Sequence, residues 1–192
     1  FSVEMLANRL AWCIAPCPTP GWARQVLGAG PDGRGPGAEA LWPLLVPLLR
    51  LDVADPVAAW RRHMDGLRAR AAGLNGMRLD RLRFTGPGTD LEVGLLPLSR
   101  FACASGPSGS GNVFIMNMPT EEVYTTPDVR RASGTVRCTR PVRVMGVDVE
   151  AARFVFADGA VVRADADRGA DALCRYLDID AQARRLGEVS LV

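Results

Sequence analysis

With 192 residues the chain is long enough for one large domain or two small ones, and its 48% hydrophobic and 23% charged residues exclude a disordered protein. A net charge of +2 gives no bulk attraction to nucleic acid or to an anionic membrane, so neither is an expected partner. All 23 basic residues are arginine, a compositional bias rather than a basic binding surface.

Leu10–Ala15 is a short apolar run that stops at Pro16, Pro18 and Pro20, and it reads as a buried strand followed by a rigid turn. Cys13 and Cys17 within it suggest zinc only superficially. His63 is the sole histidine and no second Cys/His pair exists, so both thiols are expected as small buried side chains. The five cysteines, odd in number and scattered, fit free thiols in a reducing cytosol, and a cytoplasmic location is expected. Trp22–Leu27 starts a helix, and residues 28–37 form a glycine-rich flexible loop. Glu39–Leu49 is apolar on most faces but broken by Pro43 and Pro47. Its uncharged part covers only about half a bilayer, so no membrane span is expected, and no signal peptide pattern is seen.

The clearest helix covers Pro56–Ala72. Asp55 is a good N-cap, proline stands at the first helical position, and Gly73 is a natural stop. Val57, Trp60, Met64, Leu67 and Ala71 share one face. His63 borders that stripe and is assigned packing or surface duty, with no catalytic role. Trp12, Trp22, Trp42 and Trp60 are read as core or interface residues.

After Asn75-Gly76 the pattern turns to strands. Leu79–Phe84 and Asp90–Leu96 flank the turn at residues 85–88, and Val142, Val144, Val147 and Val149 alternate around Gly146. Arg153–Ala157 and Ala160–Ala164 flank Asp158-Gly159, a strong hairpin signal. Arg168–Leu177 reads as a helix, and Asp180 as the cap of a short helix ending at Gly187. Helices and strands mix without regular βαβ alternation. The expected class is therefore α+β (an irregular α/β arrangement), with a helix-rich segment 1–74 and a β-rich segment 75–192 that are also compatible with one continuous domain.

Two places carry candidate chemistry. In Asn117-Met118-Pro119-Thr120-Glu121-Glu122-Val123-Tyr124-Thr125-Thr126-Pro127-Asp128, paired carboxylates follow the apolar run Val113–Met116. A helix capped by Thr120 would be the plain reading, but Val123–Pro127 is β-branched, aromatic and closed by proline, a poor helix. If the stretch is extended, Glu121 and Glu122 point to opposite faces. Acids at the end of a buried strand are costly without a cationic partner, and a metal ion is one, but from spacing alone metal binding is the minority reading, since paired acids are usually solvated. The second place is Glu188, in Leu186-Gly187-Glu188-Val189. Thr89 and Asp90 are read as anchors of a turn-to-strand junction, and Asp178 and Asp180 as caps.

Four stretches in consistent order resemble the thermophilic metallopeptidase family typified by aminopeptidase T and aminopeptidase S. They are Ala15-Pro16-Cys17-Pro18-Thr19-Pro20-Gly21-Trp22-Ala23, Phe84-Thr85-Gly86-Pro87-Gly88-Thr89-Asp90-Leu91, the Asn117–Asp128 segment, and Ala183-Arg184-Arg185-Leu186-Gly187-Glu188. The resemblance implies a cytoplasmic, homodimeric metal-dependent aminopeptidase acting on peptide substrates with two divalent ions, Zn or Co. It implies Glu122 and Glu188 as metal-site residues. Glu122 is preferred for its separation from Glu188, leaving Glu121 as a supporting or solvent-facing neighbour, or as the alternative ligand. The family draws its histidine, aspartate and tyrosine site residues from sequence beyond the Gly-Glu motif. The chain is accordingly expected to be the central part of a larger two-domain enzyme, weak in metal binding and inactive alone. Two alternatives remain, a related non-peptidase metalloenzyme of the iron-dependent ring-cleaving dioxygenase kind, and a non-catalytic binding or dimerisation module.

Overall fold

The computed structural model describes residues 2–7, 9–29 and 35–192; residues 30–34 of the expected glycine-rich loop lie outside the described residues. Among the described residues the fold is α+β, with helices concentrated early and antiparallel strands later. The chain divides into two compact units. The first holds residues 1–71 and 102–123 with residue 192; the second holds residues 72–101 and 124–191.

In the first unit, α1 (Ser2–Leu6) is followed by α2 (Pro20–Leu27), a 3-10 turn (Ala38–Leu41), α3 (Trp42–Leu48) and the long α4 (Pro56–Gly76), of which residues 56–71 belong to this unit. Thr19 caps α2 by accepting the Trp22 N–H, and Asp55 caps α4 by accepting the Ala58 N–H at 2.9 Å. α4 runs past Gly73 to Gly76, because a helix tolerates one glycine at a cost of about 1 kcal/mol when neighbouring turns still bond. Trp60, Met64, Leu67 and Ala71 are buried as the stripe requires, whereas Val57 is exposed. Ala23, Leu41, Leu45 and Leu49 form a second buried cluster with Trp22 and Met118 against it.

The expected buried strand at Leu10–Ala15 does not form. Leu10 and Ile14 are exposed, and only Ile14 makes a bridge, parallel to Asn117. Three prolines in quick succession leave too few N–H donors downstream to extend a ladder. Cys13 and Cys17 ride on this surface segment and are exposed rather than buried. Trp42 is also exposed.

In the second unit, β1 (Arg81–Gly86) and β2 (Thr89–Leu95) form a hairpin. The remaining strands are, in chain order, β3 (Ala102–Cys103), β4 (Ser105–Pro107) and β5 (Val113–Ile115) of the first unit, β6 (Val123–Thr125), β7 (Pro127–Arg137), β8 (Val142–Val144), β9 (Val147–Val149), β10 (Arg153–Ala157), β11 (Ala160–Asp165) and β12 (Val189–Leu191). The main sheet has the order β1-β2-β7-β10-β11 with antiparallel pairings. Leu91, Val93, Ala132, Phe156 and Val161 form its buried face, and α5 (Ala170–Leu177) packs Leu173 and Leu177 into the same core. The Asp158-Gly159 turn has φ of 50° and 81°, the left-handed pair that a two-residue hairpin demands. Asp180 accepts the N–H groups of Gln182 and Ala183, but the segment it caps stays a series of turns rather than the expected helix. Thr89 and Asp90 act at the strand junction as expected: Thr89 Oγ1 accepts the Arg137 N–H, and Asp90 takes both arms of Arg83. No helix among the described residues is long and apolar enough to cross a membrane.

Candidate metal centre

β4 and β5 form a short antiparallel hairpin that delivers the chain to the carboxylate segment. Met116 N–H donates to Ala104, and Met118 N–H and Ile14 N–H exchange hydrogen bonds with Ile14 and Met116 carbonyls. Met118–Pro119 is a cis peptide. The chain then runs without helix through Thr120, Glu121 and Glu122 into β6, as the β-branched composition dictates. Thr120 is buried, Glu121 exposed and Glu122 half-buried.

Glu121 has its cationic partner within the protein. Its Oε1 accepts the Arg50 Nη2–H at 2.8 Å, and its Oε2 lies 3.3 Å from His63 Nε2. Arg50 Nη2 is also 3.0 Å from His63 Nδ1, and His63 Nε2 is 2.8 Å from the Thr120 carbonyl. These contacts assign the ring proton. A guanidinium offers only N–H donors, so Nδ1 accepts; a carbonyl can only accept, so Nε2 carries the hydrogen. His63 therefore bridges the Arg50 guanidinium and the Thr120 carbonyl, and its 3.3 Å approach to Glu121 is a close contact beside that hydrogen bond rather than a second one.

Local backbone chemistry puts Arg50 there. It follows the α3 C-cap Leu49 and closes a Schellman motif, with Arg50 N–H on Pro47 and Leu51 N–H on Val46. That position is left-handed, with φ 56°. Glycine fits it freely, whereas a side chain costs about 1–2 kcal/mol. The guanidinium lies over the Trp60 ring, 5.3 Å from its centroid, while the Trp60 indole N–H donates to the Leu49 carbonyl at 2.7 Å. The His63 ring meets Trp60 edge-on.

The Glu122 carboxylate makes no hydrogen bond or ion pair among the described residues. Thr120 Oγ1, two residues earlier, is buried and also without a hydrogen-bond partner. Glu188 is exposed, accepts the Ser190 hydroxyl at 3.1 Å, and immediately precedes β12. Glu122 falls in the first unit and Glu188 in the second. Among the described residues, no three His, Cys, Asp or Glu side chains are grouped to hold a metal ion. An open apolar cleft of about 1010 Å³ in the first unit, lined by Trp12, Trp60, Phe114 and Met118 among others, includes none of the three glutamates.

Other carboxylates have purely structural partners. Asp128, buried at the start of β7, accepts both arms and the backbone N–H of Arg130, which hold its pKa down to about 2. Asp80 and Asp90 are lowered in the same way by Arg131 and Arg83. Sequence reasoning passed over Arg50 and gave His63 only packing or surface duty. The available signals were a lone histidine at the edge of the α4 stripe and an arginine directly after an apolar helix, where glycine is the usual stop.

Comparison with known proteins matches residues 1–192 to the family described as thermophilic metalloprotease (M29). Aminopeptidase T of Thermus aquaticus is 41% identical over 181 residues, covering 94% of this chain and 44% of that protein. Aminopeptidase 2 of Geobacillus stearothermophilus is 37% identical over 192 residues, covering all of this chain and 46% of that protein. The solved structure titled wild-type AmpT from Thermus thermophilus superposes with a TM-score of 0.88 at 37% identity, over all of this chain and 46% of that one. The chain thus spans less than half the length of the relatives it matches.

Proposed function

The chain belongs to the thermophilic metalloprotease (M29) family, and from that premise we propose that it carries part of the metal centre of an aminopeptidase releasing N-terminal residues from peptides. The family implies a divalent metal cofactor. In this reading two ions, Zn or Co, are bound, and Glu122 and Glu188 are among their ligands. Carboxylate oxygen suits such cations and can bridge two of them.

One observation carries the assignment. Of the adjacent pair, Glu121 is engaged by Arg50 and His63, while the half-buried Glu122 carboxylate has no protein partner among the described residues. A half-buried carboxylate without a counter-charge is costly, and a cation offsets that cost. Glu188 enters the reading through the Gly-Glu motif of the family resemblance alone; its carboxylate accepts the Ser190 hydroxyl. Two carboxylates are fewer than a two-metal site needs, so further donors lie outside the groups described. Bound divalent ions would lower the pKa of a water molecule and polarise the peptide carbonyl. The chain's own part is to supply the two carboxylates.

Metal analysis of the complete protein tests this. The wild type should hold two Zn or Co ions per chain, and Glu122→Gln and Glu188→Gln should each lose at least one. Retention of both ions by both variants overturns the assignment, and a single iron per chain would favour a dioxygenase-like relative.

A further inference from the structure

We infer that Arg50, His63 and Glu121 are positioning residues that clamp the Thr120–Glu122 segment to the α3–α4 corner, so that Glu122 is presented as the metal donor; the inference rests on the proposed ligand role of Glu122. The clamp grips the segment at two successive residues. His63 Nε2–H holds the Thr120 backbone carbonyl at 2.8 Å, and Arg50 Nη2 holds the Glu121 carboxylate at 2.8 Å. The two grips are tied to each other by the Arg50–His63 hydrogen bond at 3.0 Å.

The clamp is itself anchored. Arg50 lies over Trp60, and Trp60 bonds the carbonyl of Leu49, the residue before Arg50. His63 stands one turn further along α4, its side chain only 13% exposed. A neutral imidazole suits this place because it bridges a donor on one side and an acceptor on the other without adding charge. The arginine occupies a left-handed helix end that favours glycine, so its side chain is kept against the backbone preference. Glu121, paired with Arg50 through one carboxylate oxygen, is thereby a support and not a ligand. Groups that orient metal ligands typically alter metal affinity by about 10–100-fold when removed.

The test is Co(II) titration of the metal-free complete protein, read by its visible absorption and by competition with a chelator. His63→Leu should weaken Co(II) binding by about tenfold and shift the visible bands. His63→Gln, which keeps one donor and one acceptor, should restore most of the affinity. Glu121→Ala should weaken binding similarly while still filling two sites at saturation, and it serves as the readout if His63→Leu fails to fold. Wild-type affinity and spectrum in the folded His63→Leu and Glu121→Ala variants would overturn the clamp while leaving the ligand assignment intact. Loss of one Co(II) site in Glu121→Ala would make Glu121 a ligand and overturn it too. Retention of two sites in Glu122→Gln would instead fell the ligand assignment, and the clamp with it.

Discussion

Replacing Arg50 by alanine and, separately, by glycine splits the energy of this residue into a side-chain and a backbone part. Both variants remove the hydrogen bonds to Glu121 and His63 and the contact with Trp60. Glu121 is half exposed, so its pairing is worth about 0.5 kcal/mol. The stacking on Trp60 adds about 0.5–1 kcal/mol, and the bond to His63 about 1 kcal/mol. The side chain thus contributes about 2 kcal/mol. Alanine keeps the left-handed φ of 56° at full cost, whereas glycine relieves about 1 kcal/mol of it. Arg50→Ala should therefore destabilise by about 2 kcal/mol and Arg50→Gly by about 1 kcal/mol, a gap of about 2–4 °C in Tm for a chain of this size. Thermal unfolding by circular dichroism, with hydrogen exchange of the α4 amides to localise the effect, measures both. If the glycine variant is no more stable than the alanine one, the strain argument fails. If the alanine variant costs nothing, the contacts of the guanidinium carry no energy.

Two further predictions concern the second unit. Asp128 has a native pKa of about 2, below its ordinary 3.8, because Arg130 stabilises the ionised form. Its contribution is complete above about pH 4 and is lost as pH falls towards 2, because the unfolded chain binds the proton first. Between pH 7 and pH 3, urea unfolding of the wild type should lose more stability than that of Asp128→Asn; equal losses would refute the pairing. Gly134, at φ 112°, has a Cβ position 2.1 Å from the Asp90 carbonyl oxygen in the neighbouring strand. Gly134→Ala should cost about 3 kcal/mol by forcing β2 and β7 apart, and an unchanged Tm would contradict the register between them.

Local chemistry was legible in the sequence wherever neighbours along the chain decide the outcome. Asp55-Pro56 and the apolar stripe marked α4, Asp158-Gly159 marked the β10–β11 hairpin, and the β-branched run after Glu122 marked β6 as strand rather than helix. The motifs around Glu122 and Glu188 pointed to the family that the whole chain matches. Other features depend on partners far away in sequence. β7 carries Arg130, Arg131, Ser133 and Gly134 and shows no clean alternation, yet it is the central strand because β2 and β10 satisfy its backbone on both sides. Leu10–Ala15 has strand composition but finds only one bridge. Arg50 meets Glu121 across 71 residues and His63 meets Thr120 across 57, contacts that no periodicity encodes. Capping, turn and stripe signals act within a few residues and are written in order along the chain. Which carboxylate of the pair is neutralised by the protein and which is left without a partner among the described residues is set by charges that only the folded backbone brings within hydrogen-bond reach.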